Sequence, residues 1–175
     1  MRTARAQTAL ESKNLESSLN CHELRTCASF GTAPIFIVLQ VKTFDPIRRK
    51  SVAATPEEAV RQAVVRVLLE KKHVPRHLIE VEFPLSALAR GTRDRVDLVV
   101  HEPRAGLERP WLLVECKAPG EYTWEKLEAQ LNRYLKHLSP KFILLALGET
   151  ERVYRLQGAT YEPCASLPDY AEDHS

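Results

Sequence analysis

Apolar residues fall into two patterns along the chain: short branched runs of strand length, and longer stretches where they recur every three or four positions. Arg95-Val96-Asp97-Leu98-Val99-Val100 and Trp111-Leu112-Leu113-Val114-Glu115-Cys116-Lys117 are runs of the first kind, and the Pro- and Gly-bearing segment 101–110 between them reads as a hairpin connection. Segment 78–83 alternates apolar and acidic residues as a half-exposed strand does, and Pro84 ends it. Lys141-Phe142-Ile143-Leu144-Leu145-Ala146-Leu147 is almost continuously apolar, the mark of a strand covered on both faces. After a turn at Gly148-Glu149-Thr150, residues 152–156 read as a final edge strand.

Two helices interrupt these strands. Thr55-Pro56-Glu57-Glu58 combines an N-cap hydroxyl, a proline at the first helical position and two acids in the first turn. This first helix is predicted to reach about Lys72, with Val60, Val64, Val67 and Leu68 facing the core. The second starts at Glu121 or Thr123, after the Ala118-Pro119-Gly120 break, and carries the stripe Leu127, Leu131, Tyr134, Leu138. The order αβββαβ, with one more strand behind it, predicts an α/β (α+β) fold: a mixed central sheet of four to five strands with helices on its faces. The pattern places that domain at 44–158, between a poorly structured extension at 1–43 and a tail at 159–175. The run Ala33–Val41 in the extension is far shorter than the roughly 20 residues a membrane span needs.

The polar residues inside the strands change the picture. Side chains alternate across a strand, so Glu115 and Lys117 leave the same face while Val114 and Cys116 leave the other. On the preceding strand Val96, Leu98 and Val100 are expected on one face and Asp97 on the opposite one. Paired as a hairpin, the two strands would set Asp97 beside Glu115 and Lys117. Two carboxylates at close range repel, and one is driven to protonate unless a cation lies between them. Mg²⁺ suits such a site, since it takes one or two carboxylates together with waters and substrate phosphates. Lys117 would then orient or deprotonate a water, or hold a phosphate. The logic is metal-assisted hydrolysis of a phosphodiester. Gln130 lies on the apolar stripe of the second helix and needs partners there, either within the core or in the carboxylate cluster. Glu57 or Glu58 is either a capping acid or a carboxylate reaching that cluster from the first helix.

Composition adds limits. The 175 residues suffice for one domain, and the 44% hydrophobic fraction for a core. The formal net charge is only +2, so any nucleic-acid footprint must be local. Arg48-Arg49-Lys50 is a local candidate for phosphate contact, set against the plainer reading of a solvated face. Cys21 and Cys27 lack the second pair of a zinc site, and Cys116 reads as a small core residue. Scattered cysteines suggest a reducing, cytoplasmic setting.

Taken together, Val96-Asp97, Glu115-Cys116-Lys117 and Gln130-x-x-x-Tyr134 resemble the PD-(D/E)xK nuclease superfamily. With Phe44-Asp45-Pro46-Ile47-Arg48 and Leu113–Pro119, the chain is more narrowly similar to the N-terminal domain of type I restriction enzyme R (HsdR) subunits, over residues 44–158. That resemblance implies a restriction-endonuclease-like core and a Mg²⁺- (or Mn²⁺-) dependent DNA endonuclease. Asp97, Glu115 and the Cys116 carbonyl would hold the metal, and Lys117 would assist the attacking water. Gln130 and Tyr134 would position the site, and Glu58 would add an acid. Arg48, Arg49, Lys50 and Arg95 would contact DNA. Val96 stands where the family name has proline. The implied partners are DNA and a helicase motor or other restriction subunits encoded separately, with no membrane. The alternative is a non-catalytic DNA-binding or protein-interaction module that retains the fold.

Overall fold

A computed structural model describes residues 41–120 and 122–174. The expectations for residues 1–40, including the Cys21/Cys27 pair and most of the extension, lie outside the described residues.

The described chain opens with a hairpin, β1 (Lys42–Asp45) and β2 (Lys50–Ala53), which forms its own two-stranded sheet. Helix α1 (Pro56–Glu70) comes next, with the Thr55 hydroxyl accepting the Glu58 amide at 3.1 Å as its N-cap. Strands β3 (Ile79–Pro84), β4 (Arg95–Val100) and β5 (Leu112–Lys117) then lead to helix α2 (Trp124–Tyr134), capped by Thr123. The chain ends with β6 (Phe142–Leu147), β7 (Thr150–Gln157), β8 (Thr160–Cys164) and the short helix α3 (Tyr170–Asp173).

The result is a mixed α/β fold. Strands β3 to β8 form one six-stranded sheet in chain order, one or two strands wider than the pattern predicts. Every pairing in it is antiparallel except β5 with β6, which run parallel because α2 carries the chain back between them. Helix α1 covers one face: Val60, Val64, Val65 and Leu68 pack with Leu98, Val100, Leu112, Val114 and Leu144. Val65 takes the buried place expected of Val67, whose side chain is exposed. Helix α2 covers the other face, where Leu127, Leu131 and Tyr134 meet Val99, Leu113, Ile143 and Leu145. The central strands β5 and β6 are thus apolar on both faces, which makes the polar residues near the end of β5 conspicuous. No described helix is long and apolar enough to cross a membrane.

Two expectations need correction. Val96 does not share the face of Leu98 and Val100. It joins the α2-side core with Phe83, whereas Val81 and Leu98 pack on the α1 side. The cause lies at Glu82, whose φ of 57° is left-handed, between the paired positions Val81–Leu98 and Phe83–Val96. A left-handed residue within a strand rotates the residues after it about the strand axis, so the strand pair exchanges faces at Glu82, opposite Asp97.

The second concerns the C-terminus. Residues 159–174 are not a loose tail as expected: β8 extends the sheet and α3 closes one edge of the α1-side core. Among its described residues only Leu167 and Tyr170 are buried, too sparse a pattern to read as an element. Its attachment is largely polar. Asp173 accepts the indole N–H of the fully buried Trp111 at 2.7 Å and forms an ion pair with Lys141 at 2.6 Å, and Tyr170 stands edge-on to Trp111. His73 pairs with Asp169, and His174 with Glu102.

A buried indole N–H left without an acceptor costs about 1–3 kcal/mol. Asp173→Ala should therefore lower stability by about that amount in urea unfolding followed by tryptophan fluorescence. Asp173→Asn, whose amide oxygen still accepts, should lose less.

Candidate functional site

The polar cluster forms where β4 and β5 part. Their antiparallel pairing runs from Val100–Leu112 to Leu98–Val114 and stops there. The next residue of β4 is Asp97, and its carboxylate replaces a main-chain acceptor: Oδ2 receives the Cys116 amide at 2.7 Å. The strand divergence thereby leaves no orphaned amide, and the first acid is fixed against β5.

Strand β5 supplies the next two groups. Glu115 and Lys117 share the α2-side face, as period two requires, and Lys117 Nζ donates to Glu115 Oε1 at 2.8 Å. Glu115 is 1% exposed and Lys117 9%. Helix α2 adds Gln130, whose Nε2 donates to the same Glu115 oxygen at 2.5 Å and also to the Tyr134 hydroxyl. Tyr134 in turn donates to the Arg95 carbonyl at 3.0 Å, tying α2 to the start of β4. The other glutamate oxygen, Oε2, is buried and has no hydrogen-bond partner.

Helix α1 contributes an acid, but not Glu58. Glu57 Oε1 accepts the second hydrogen bond of Lys117 Nζ, at 2.8 Å. Glu58 instead faces a separate ion network, in which it is bonded by Arg61, by Gln62 at 2.7 Å and by Arg48 at 3.3 Å. Spacing does not separate the two acids: Glu57 lies three and seven residues before Val60 and Val64, and Glu58 seven and ten before the fully buried Val65 and Leu68. Tyr122 was also missed. Its partly exposed ring lies 5.1 Å from Lys117 Nζ, just past the left-handed turn at Gly120.

The four basic candidates separate. Arg48 is committed internally, bonding Asp45 Oδ2 at 2.5 Å, Glu82 Oε1 at 2.9 Å and Glu58. Its guanidinium, expected from the sequence to contact DNA, is therefore occupied by carboxylates in this structure. Arg49 and Lys50 stand exposed at the hairpin turn. Arg95 presents its carbonyl to the site while its side chain, 66% exposed, points to the rim near Glu82.

Electrostatics follow from the burial. Glu115 is pushed up from 4.5 to about 8, by burial first and by the charge of Asp97 second, with Lys117 offsetting part. Asp97 is also raised, chiefly by burial, against the opposing pull of the Cys116 amide and Lys117. Burial alone would lower Lys117, but Glu115 and Glu57 outweigh it and hold the ammonium above its ordinary value. Burial raises the Cys116 thiol well above its usual range, so the sulfur is a neutral core atom and only its main chain faces the chemistry.

The donor set suits a hard divalent cation. It offers two carboxylates near one another, one of them with a buried oxygen that nothing satisfies. Among the described residues no group of three or more His, Cys, Asp or Glu side chains is arranged to hold a metal ion. Two carboxylates match Mg²⁺, which completes its shell from water and substrate, better than a softer metal needing a full set of protein ligands.

The raised Glu115 gives a pH dependence. A native value of about 8 against 4.5 unfolded means the folded state holds the proton more tightly. That contribution to stability is fully present below about pH 4.5 and is lost as pH rises through about 8. Without added divalent cation, unfolding free energy should fall across that window, by up to about 1.4 kcal/mol per pH unit for the one proton. Glu115→Gln should flatten the slope in urea titrations at successive pH values.

No curated protein and no solved structure gives a significant match to this chain. A family model does: the one described as type I restriction enzyme R protein N terminus (HSDR_N) matches residues 56–168. The match runs from the first residue of α1 to the approach to α3, well over half of the 175 residues, and includes Asp97, Glu115, Lys117, Gln130 and Tyr134. The chain belongs to the family of type I restriction enzyme R protein N-terminal domains.

Proposed function

We propose that this domain is a metal-dependent endonuclease of the PD-(D/E)xK type, hydrolysing phosphodiester bonds in DNA. The observation that carries the reading is the meeting of Asp97, Glu115 and Lys117 at the parting of β4 and β5, with one oxygen of Glu115 buried and unsatisfied. Neither burial nor packing accounts for placing two acids there, because burial raises the proton affinity of both and the charge of Asp97 raises that of Glu115 further. The family membership supports the same reading from an independent direction.

In this reading Asp97 and Glu115 hold Mg²⁺ or Mn²⁺ through their carboxylates, with the Cys116 carbonyl as a further oxygen donor. The ion, when bound, supplies Lewis-acid polarisation of the phosphate and a water more easily deprotonated. The chain's own residues do the rest. Lys117, kept protonated by Glu57 and Glu115, acts as a fixed positive charge that orients the water and opposes the charge growing on the phosphate, rather than as the base. Gln130 locks Glu115, and Tyr134 locks Gln130 to the start of β4, so the acid cannot swing away when its lysine partner engages substrate. Arg95 offers phosphate contact at the rim. Glu58 is left to the ion network beneath, with no part in the chemistry. Family membership also points to DNA and to restriction-system subunits, such as a motor, as the partners with which the domain works.

With Mg²⁺ or Mn²⁺, the purified protein should cut plasmid and linear DNA, and a chelator should stop it. Asp97→Ala and Lys117→Ala should each reduce the rate at least about a hundredfold. Glu57→Gln should act more mildly, since Lys117 keeps its bond to Glu115. Cutting that persists in both alanine variants would reject the site. DNA binding without turnover in either metal would leave the non-catalytic module.

A further inference from the structure

The hairpin β1–β2 precedes the segment matched by the family model and takes no part in the main sheet. Its sequence, Lys42 to Ala53, carries four cations and one acid (4 − 1 = +3), more positive than the whole chain at +2. The one acid, Asp45, is buried and spent inside the turn: its Oδ1 accepts the amides of Ile47 and Arg48, and its Oδ2 the Arg48 guanidinium. The outward-facing remainder is basic and aromatic. Lys42 and Phe44 leave the same side of β1, Phe44 being 61% exposed, and Arg49 and Lys50 stand exposed at the turn.

Two further features point to use. Arg49 has a φ of 52°, a left-handed conformation that glycine adopts freely and arginine at a cost. Backbone strain retained in favour of one charged side chain leads toward a function for that side chain. The hairpin is also tied by side chains to residues next to the candidate site. Ile47 packs on the core, and Arg48 bridges to Glu58 and Glu82. Glu58 adjoins Glu57, which holds Lys117, and Glu82 lies opposite Asp97.

We propose that this hairpin grips a nucleic-acid strand with exposed bases beside the candidate site, with Arg49, Lys50 and Lys42 on its phosphates and Phe44 against a base. The proposal deepens the nuclease reading and rests on it for the kind of partner. Phosphates match the uncompensated cations, and an exposed aromatic ring offers a platform to an unstacked base that a continuous duplex does not present.

The test uses fluorescence anisotropy of the full chain with fluorescein-labelled oligothymidylate, and with a duplex, in chelating buffer across a salt series. Arg49→Gly removes the cation while supplying the residue the turn prefers. It should unfold at an equal or higher urea concentration, yet bind the single strand more weakly, its salt slope shallower by about 0.7. Phe44→Ala should weaken single-strand binding at least about fivefold and affect duplex binding little. Wild-type binding in both variants, an Arg49→Gly loss that merely tracks lost stability, or an equal Phe44→Ala effect on duplex and single strand would each overturn the proposal. Because no metal is present, the outcome is separable from hydrolysis. A protein that binds through the hairpin but never cuts sinks the nuclease reading alone, and one that cuts while the variants bind normally sinks the hairpin alone.

Discussion

A carboxylate near the end of a doubly covered strand is the constraint around which this structure is arranged. Glu115 sits between two apolar faces, and its burial alone would drive it to the neutral form. Lys117 and Gln130 are the partners that make its position tolerable, and each comes with conditions. Lys117 reaches it only because both residues lie on one face of β5. Gln130 reaches it only because α2 lies across that face, seated by Leu127 and Leu131. The parallel pairing of β5 with β6 stems from the same crossover, since α2 returns the chain to the far side of the strand that carries the acid. Packing and chemistry are thus two readings of one helix placement.

The side of the sheet covered by α1 is arranged differently. There, charge is concentrated at the helix's N-terminal turn, and adjacent residues serve separate ends. Glu57 turns toward the lysine of β5, and Glu58 toward Arg48 and Arg61. The second network is buried at Asp45 and Glu58, opens to solvent at the left-handed Glu82, and joins three elements. A buried ion network is weak evidence for stability, because desolvation offsets attraction. Its clearer effect is geometric: it fixes the hairpin, α1 and β3 to one another next to the residue pair where β3 and β4 exchange faces.

Much of this could be read from residues near one another in sequence. The two-residue spacing of Glu115 and Lys117 places them on one face without any knowledge of the fold. The interval between Leu127, Gln130 and Tyr134 likewise puts an amide on a buried stripe. The features that could not be read depended on distant partners. The face of Val96 is decided by the backbone of Glu82, on another strand. Arg48 looked like a solvent-facing cation because two of the three acids that claim it, Glu58 and Glu82, are 10 and 34 residues away, and only Asp45 lies close by in sequence. Residues 159–174 lacked an apolar rhythm because their hold on the domain comes through the edge pairing of β8, two isolated apolar side chains and single polar atoms such as the Asp173 carboxylate at the Trp111 indole. The choice between Glu57 and Glu58 belongs with these, because both precede buried residues of α1 by whole turns and only their distant partners separate them.

The bond from the Cys116 amide to Asp97 carries one more consequence. A side chain stands there as the acceptor for a main-chain donor, so the cohesion of the two strands at their mouth and the charge of the cluster are no longer independent quantities. Anything that draws electron density from that carboxylate, whether a proton or an incoming ion, loosens its hold on the amide behind it. The Cys116 N–H is accordingly a built-in gauge of the site: its proton chemical shift and its exchange with solvent report occupancy of the cluster from inside the sheet, without a label and without a reaction.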